Sequence, residues 1–405
     1  PGVQEVAHNA AASAVSPGQH GVAEVINVVE PGENSRNILA MTSSRTYGLD
    51  ADESQTVLPQ TSSMVGNGAG SVFKIFTAAA ALEQGYNLDA KLPVPKRSVK
   101  YGMGTGGATG CPAGAYCVEN AGSYPGELTL RDALAKSPNT TFIELLEEVG
   151  VESTVDMAVR LGLRSYEDQG SFDEDNSIAD YFRQNNLGAF TLGPTAVNPL
   201  ELSNVGATLA SGGKWCEPNP VAKVKDRLGQ EVFIERPDCE EAVSPELASG
   251  LANGMAQDTI SGTAKDAAAA YGWSGPVAAK TGTTESHQSS AFLGFNNAFA
   301  AATYIYNDGT QTTPLCSGPV RQCNYGDLFG GTEAARSWFQ MATQIPGVQG
   351  AGLPTPSPLY DPASRNDLFD SVVGLQAAEA RSQLEAAGFK VRETKGTATG
   401  KPEGE

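Results

Sequence analysis

Residues 66–85 read "GNGAGSVFKIFTAAAALEQG". Glycines at 66, 68 and 70 open the stretch, Ser71 and Lys74 follow, and an apolar run closes at Gly85. The run predicts a helix that is apolar nearly all round, and hence buried, with Gly85 as its left-handed stop. Two polar side chains at the mouth of such a helix need a chemical reason, and that reason decides the fold.

Three mechanisms compete. A phosphate-binding loop needs Gly-Lys-Ser/Thr after four intervening residues, and no lysine adjoins Ser71. A Gly-x-Ser-x-Gly elbow needs a glycine where Phe73 stands, and a histidine base. The histidines are His8, His20 and His287, two of them in the first twenty residues, which argues against a Ser-His-Asp triad.

Ser-x-x-Lys remains. Residues three apart on a helix project from one face. Ser71 in the first turn sits in the field of unpaired backbone N–H groups, which favours developing negative charge. Serine attacks only when a base removes its proton. Lysine is that base only when neutral, which requires its pKa to fall by roughly 3 units from about 10.4. Burial against Phe73, Ile75 and Phe76, with a second cation nearby, pushes it that way. By itself Ser-x-x-Lys recurs by chance in many chains.

Two further segments accompany it. "KSPNTTF" places Ser137 and Asn139 just before a predicted helix, and "AAKTGTTES" places Lys280, Thr281, Gly282 and Thr283 on a predicted strand. Taken alone, Ser137 reads as a helix N-cap and Lys-Thr-Gly as a turn. In the order Ser-x-x-Lys, Ser-x-Asn, Lys-Thr-Gly, widely spaced, they become specific.

Outward from these motifs, residues 1–20 read as a loose, flexible lead. Gly21–Val29 and Asn37–Ser44 read as a β-hairpin, and the chain from about 60 to 260 is mostly helical around Gly-rich loops. "GPVAAKTGTT", "SSAFLGFNN" and "AFAAATYIYND" read as strands, and Gly331–Gln344 as a helix. Strands early and late with helices between imply one sheet interrupted by a helical insertion. Residues 346–365 read as a Pro/Gly-rich linker. In residues 366–405, Ala377, Ala380, Leu384 and Ala387 share a helical face that stops at Gly388 before a strand, and "TGKPEGE" ends the chain with nothing to pack.

At 405 residues and 40% hydrophobic content the chain can bury a large core. A formal charge of −19 disfavours nucleic acid as a partner and keeps the protein soluble. No run approaches the ~18 apolar residues of a membrane span, and with Pro1 in place of a signal peptide the chain reads as a trimmed fragment or mature product. Six cysteines fall into local pairs, 111/117, 216/239 and 316/323, without C-x-x-C spacing. Disulfides in an oxidising compartment are expected, the alternative being six buried thiols. Asp173–Asp180, "DEDNSIAD", resembles a calcium loop but lacks its central glycine and has Gln184 where a carboxylate closes such a site, so it reads as a solvated acidic loop. No metal or organic cofactor is implied.

The chain resembles the penicillin-binding, acyl-serine transferase family. "GELTLRDALAKSPNTTFIELLEEVG", "MAVRLGL", "NPLELSNVGATLASGG" and "SGTAKDAAAAYGWSGPVAAKTGTT" are similar to the transpeptidase half of class A penicillin-binding proteins over about residues 20 to 345. The segment "DSVVGLQAAEARSQLEAAGFKV" resembles an incomplete PASTA module of actinobacterial class A enzymes. The resemblance implies an α/β (α+β) fold in which an antiparallel sheet is flanked by helices and joined to an all-α subdomain, with a small α+β PASTA module after it. It also implies an extracytoplasmic D,D-transpeptidase that crosslinks peptidoglycan stem peptides and is acylated by β-lactams, with a membrane anchor and glycosyltransferase domain expected upstream.

In that reading Ser71 forms the acyl-enzyme, Lys74 takes its proton, and Ser137 and Lys280 relay the proton to the leaving amine. Asn139 holds the acyl side chain, and the N–H groups of Ser71 and Thr283 form the oxyanion hole. Thr281 and Thr283, with Gly282 between them and Lys280 near, receive the substrate's terminal carboxylate. The chain departs from the family where "SSAFLGF" replaces the usual Asp-Ala-Trp-Phe run, and His287 reads as a loop residue. A serine β-lactamase, a D,D-carboxypeptidase and a non-catalytic wall-binding sensor remain as alternatives.

Overall fold

The computed structural model describes residues 2–394. Five strands, β1 (Val22–Val29), β2 (Ile38–Ser43), β3 (Ala278–Thr283), β4 (Ser289–Phe295) and β5 (Ala300–Asn307), form one antiparallel sheet in the order β3-β4-β5-β1-β2. The central pair runs from Val22 opposite Asn307 to Val29 opposite Ala300, and the edge pair from Ala278 opposite Phe295 to Thr283 opposite Ser290. β1 is buried along its whole length because helices cover both faces. Its side chains sort by parity: Ala23, Val25 and Val29 enter one core, Val22, Ile26 and Val28 the other.

The first core is shared with the helical insertion. It holds α2 (Lys74–Glu83), α3 (Leu130–Lys136), α4 (Asn139–Val149), α5 (Val151–Leu161), α6 (Ile178–Gln184), α7 (Pro199–Ala210) and α8 (Pro245–Met255). Every residue of α2 from Lys74 to Leu82 is buried, as its apolar run requires. The short helix α9 (Asp258–Ser261) leads back toward β3. The second core packs α10 (Lys265–Ala270) and α11 (Ala335–Ala342) on the opposite face, where Trp338 packs edge-on to Phe292 and Phe339 and at a tilt to Phe299.

Three expectations give way here. The supposed loose lead is a helix, α1 (Gly2–Ala14), seated through Ala7, Ala10 and Ala11. Small side chains let it approach closely, and Gln4 bonds both the N–H and the carbonyl of Met41 on the edge strand β2, each at 2.9 Å. The free edge groups of Met41 are thereby paired. Residues 346–361 do not run free as a linker. The Tyr360 carbonyl accepts from Leu88 N at 2.9 Å, Pro354 O accepts from Asn253 Nδ2 at 2.9 Å, and Asp361 pairs with Arg131 at 2.6 Å. Two helices follow, α12 (Pro362–Val372) and α13 (Ala377–Ala386). Neither buries a residue, and 389–394 form no strand, so the shared face of 377–387 is not a core face. The remainder of the expected terminal module, including "TGKPEGE", lies outside the described residues.

The cysteine pairs are all bridged, 111–117, 216–239 and 316–323. The Gly-rich stretch after α2 is not all loop. Arg97–Tyr101 pairs with Ala115–Glu119, which carries Cys117, and Lys91–Pro93 pairs with Glu127–Thr129. No helix of the described residues is long and apolar enough to cross a membrane.

Candidate active site

α2 is entered through a 3-10 turn, Gly70–Phe73. That turn has three residues per revolution, so positions three apart eclipse, and Ser71 and Lys74 project together more closely than on an α-helix. Gly70 has φ +58, and a Cβ there would lie 2.5 Å from the Thr283 backbone. A Cβ on Gly282 would lie 1.8 Å from the Ala69 carbonyl. Glycine at both positions lets the edge strand β3 run against the turn that carries Ser71. Asn67, just upstream, bonds Gln288 beyond β3, which ties the two segments a second time.

Ser71 is half-buried and Lys74 fully buried. Lys74 Nζ lies 2.7 Å from the Ser137 carbonyl, 3.1 Å from Ser137 Oγ and 2.8 Å from Asn139 Oδ1, and 5.5 Å from the centre of the Phe142 ring. Lys280, also fully buried, reaches the same Ser137 Oγ at 2.9 Å. Burial, and then the charge of Lys280, hold the Lys74 amine well below the usual lysine range, against an opposing pull from Glu285. Burial brings Lys280 down to about 8, with Asp258 pulling it back up.

Ser137 does not cap α4. It ends α3 in the left-handed region at φ 61, its N–H bonded to Ala133 O at 2.8 Å, and Pro138 occupies the N-cap position. A non-glycine residue in that conformation is strained, and here the strain turns Oγ toward the two lysines instead of toward the helix it precedes. Asn139 is oriented by its other end: Nδ2 donates to the Glu119 carbonyl at 3.2 Å, leaving Oδ1 for Lys74.

Alternation along β3 separates the remaining residues. Lys280 and Gly282 face the helical insertion, while the Thr281 hydroxyl bonds Thr263 and Thr283 Oγ1 accepts from Gly330 N–H at 2.9 Å. The structure therefore gathers Lys74, Ser137, Asn139 and Lys280 into one hydrogen-bonded cluster beside the Ser71 turn. It does not bring the Thr281 and Thr283 hydroxyls into that cluster. His287 lies in the turn after β3, its Nδ1 3.1 Å from Leu328 O and its ring against Phe329.

Sequence reading missed Asp258, Thr263, the Glu119 carbonyl and Glu285. Asp258 stands four residues before the Gly262-Thr263 pair, where no spacing marks it as part of a site.

The chain matches the penicillin-binding protein transpeptidase domain over residues 28–314. It belongs to that family. Penicillin-binding protein 1A of Neisseria meningitidis serogroup A is 28% identical over 298 residues, 71% of this chain and 32% of the relative. This chain thus spans about a third of the length of the curated relatives it matches. Among solved structures, the penicillin-binding protein PonA1 of Mycobacterium tuberculosis superposes with a TM-score of 0.64 at 19% identity, covering 87% of this chain and 85% of that one. The penicillin G acyl-enzyme of penicillin-binding protein A from the same organism gives 0.63 at 22%, covering 85% and 78%. These likenesses establish the family's transpeptidase fold, an antiparallel sheet flanked by helices.

Proposed function

We propose that this chain is a serine D,D-transpeptidase unit that crosslinks peptidoglycan stem peptides outside the cytoplasmic membrane and is acylated by β-lactams. The observation that carries the reading is the pair of buried lysines meeting on Ser137 Oγ beside the turn that bears Ser71.

In acylation the Ser71 oxygen bonds to the carbonyl carbon of the D-Ala-D-Ala peptide bond as its proton passes to neutral Lys74. The oxyanion is held by the N–H groups of Ser71 and Thr283. The C–N bond then breaks, and the leaving D-Ala nitrogen takes a proton through Ser137, replenished between Lys74 and Lys280. An amine of a second stem peptide attacks the ester, forms the crosslink and returns the proton to Ser71. A β-lactam follows the first half only: its ring opens on Ser71, and the leaving nitrogen stays tethered. Asn139 orients the acyl side chain, and the Lys280 ammonium attracts the terminal carboxylate. Thr281, turned to Thr263, supports the strand from behind.

A β-lactamase would add a carboxylate base beside the ester. Among the described residues the hydrogen-bond partners of Lys74 are Ser137 and Asn139, neither of them a carboxylate. The test is incubation with a stem pentapeptide ending in D-Ala-D-Ala and a free amine acceptor. Release of one D-Ala with formation of the amide-exchanged product is expected. Release of D-Ala with hydrolysis alone would make the chain a carboxypeptidase, and no release would overturn the reading.

A further inference from the structure

Two ammonium groups cannot share one hydroxyl at about 3 Å inside a protein without strong repulsion, so the lysine pair holds one excess proton between them. Hydrogen-bond direction admits the arrangement in which Lys280 donates to Ser137 Oγ, the Ser137 hydroxyl donates to the lone pair of Lys74, and the two N–H groups of Lys74 go to Ser137 O and Asn139 Oδ1. It equally admits the reverse, in which Lys74 is the ammonium and Lys280 the amine. Within the cluster itself nothing breaks the tie.

Asp258 breaks it. This aspartate is fully buried behind β3 and takes no part in the chemistry proposed above. Oδ1 accepts from Thr263 N at 2.7 Å, Thr263 Oγ1 at 2.7 Å and Ala264 N at 3.1 Å, and Oδ2 accepts from Thr281 N at 3.1 Å, the residue next to Lys280. Burial raises the Asp258 pKa, but the four groups that face its oxygens are all donors, which favours the carboxylate. A buried anion requires a compensating cation. Lys280 is the charge that acts on Asp258, and Asp258 the charge that acts on Lys280. The other charged groups on neighbouring elements are Arg131 (paired with Asp89 and Asp361), Asp132 and Lys136 on α3, Glu246 on α8, Lys265 and Asp266 on α10, and Glu333 before α11. Among the described residues none of them pairs with either group. Glu285, after β3, acts on Lys74 from the solvent side.

We propose that Asp258 is a positioning residue that holds the excess proton of the buried pair on Lys280 and so leaves Lys74 as the free amine. It acts through Lys280, rests on the acyl-serine reading above, and touches no substrate. Thr263 extends the same device: its proton goes to Asp258, so it accepts from the Thr281 hydroxyl, and β3 is clamped to the carboxylate at two points.

The test is the pH profile of acylation by a fluorescent penicillin for wild type, Asp258→Asn and Thr263→Val. Asp258→Asn removes the charge and keeps the shape. Its alkaline limb, set by loss of the Lys280 proton, is expected at least one pH unit below that of the wild type, with a tenfold or greater loss of rate at pH 7.5. Thr263→Val, which keeps the charge, leaves the limb in place. A uniform fall in rate with an unmoved limb would make Asp258 merely structural and overturn the proposal. Should Asp258→Asn not fold, the 15N spectrum of lysine Nζ groups in the wild type decides, with signals assigned through Lys74→Met. Lys280 as ammonium and Lys74 as amine at pH 7 supports the proposal, and the reverse overturns it. A wild type that is never acylated refutes the underlying reading instead, so the two failures are distinct.

Discussion

Asn139 accepts from Lys74 through Oδ1 at 2.8 Å while its Nδ2 is held by the Glu119 carbonyl at 3.2 Å, so a main-chain group on the disulfide-bearing strand sets the amide's orientation toward the lysine. Asn139→Asp puts a carboxylate against Lys74 and raises that lysine's pKa by about 1–3 units. The acid limb of the acylation profile should move to higher pH, with a loss of ~10-fold or more at pH 7. Rates measured from pH 5 to 9 check this, and an unmoved acid limb would remove Lys74 from the role of base.

Replacing Lys74 by alanine should slow acylation by ~10²–10⁴-fold, the usual yield of a general base. The fold should survive, because the substitution removes an amine that is costly to bury beside the charge of Lys280. Circular dichroism and penicillin labelling on one sample test both halves. Labelling at the normal rate would contradict the assignment.

The lysines make activity and stability diverge at alkaline pH. Lys280 is lowered from 10.5 to about 8 in the folded protein, so acylation should fall as pH rises through about 8. Between about 8 and 10.5 the unfolded chain binds the proton that the folded one has lost. By linkage the lysine's contribution to stability therefore rises with pH across that window. Urea titrations of the wild type and Lys280→Met at pH 7.5 and 9.5 should show a smaller pH-dependent gain in the variant.

Glu24 carries the opposite sign. It is fully buried on β1, neither carboxylate oxygen finds a hydrogen-bond partner among the described residues, and burial raises its pKa well above the ordinary value, with Ser337 and Glu333 nearby. Its stabilising contribution is complete below pH 4.5 and is lost as pH rises toward the folded pKa. Glu24→Gln should raise stability by on the order of 1–2 kcal/mol at pH 7.5 and change it little at pH 4. Equal effects at both pH values would show that the carboxyl is not proton-linked.

The bridge between Cys111 and Cys117 closes a short loop and should contribute ~2 kcal/mol. Because Glu119 follows in the same strand, converting both cysteines to serine should also slow acylation by loosening Asn139. Loss of stability with an unchanged acylation rate would uncouple that loop from the site.

Periodicity and motif order made much of this legible. The apolar run after Lys74 announced a buried helix, and the Ala278–Thr283 and Ala300–Asn307 strands showed in their β-branched and aromatic content. Other features left no such mark. α1 is built on alanines, whose burial depends on the groove they meet and gives no strong apolar signal. The Pro- and Gly-rich strap at 346–361 has a linker's composition but binds through main-chain carbonyls, which any sequence supplies. Ser137 has a cap's spacing, yet its left-handed backbone sends the hydroxyl elsewhere. The Thr281 hydroxyl turns from the cleft because strand parity, set by Lys280, leaves it no other side. Asp258 acts through contacts distant in the chain, and no local pattern encodes those.

The central claim is that Ser71 becomes the acyl carrier. Intact mass spectrometry after incubation with penicillin G, followed by peptide mapping, tests it most directly. One equivalent of added penicillin mass on the peptide containing Ser71, absent in Ser71→Ala, is the result expected. A folded wild type that gains no mass, or an adduct that persists in Ser71→Ala, would contradict the account.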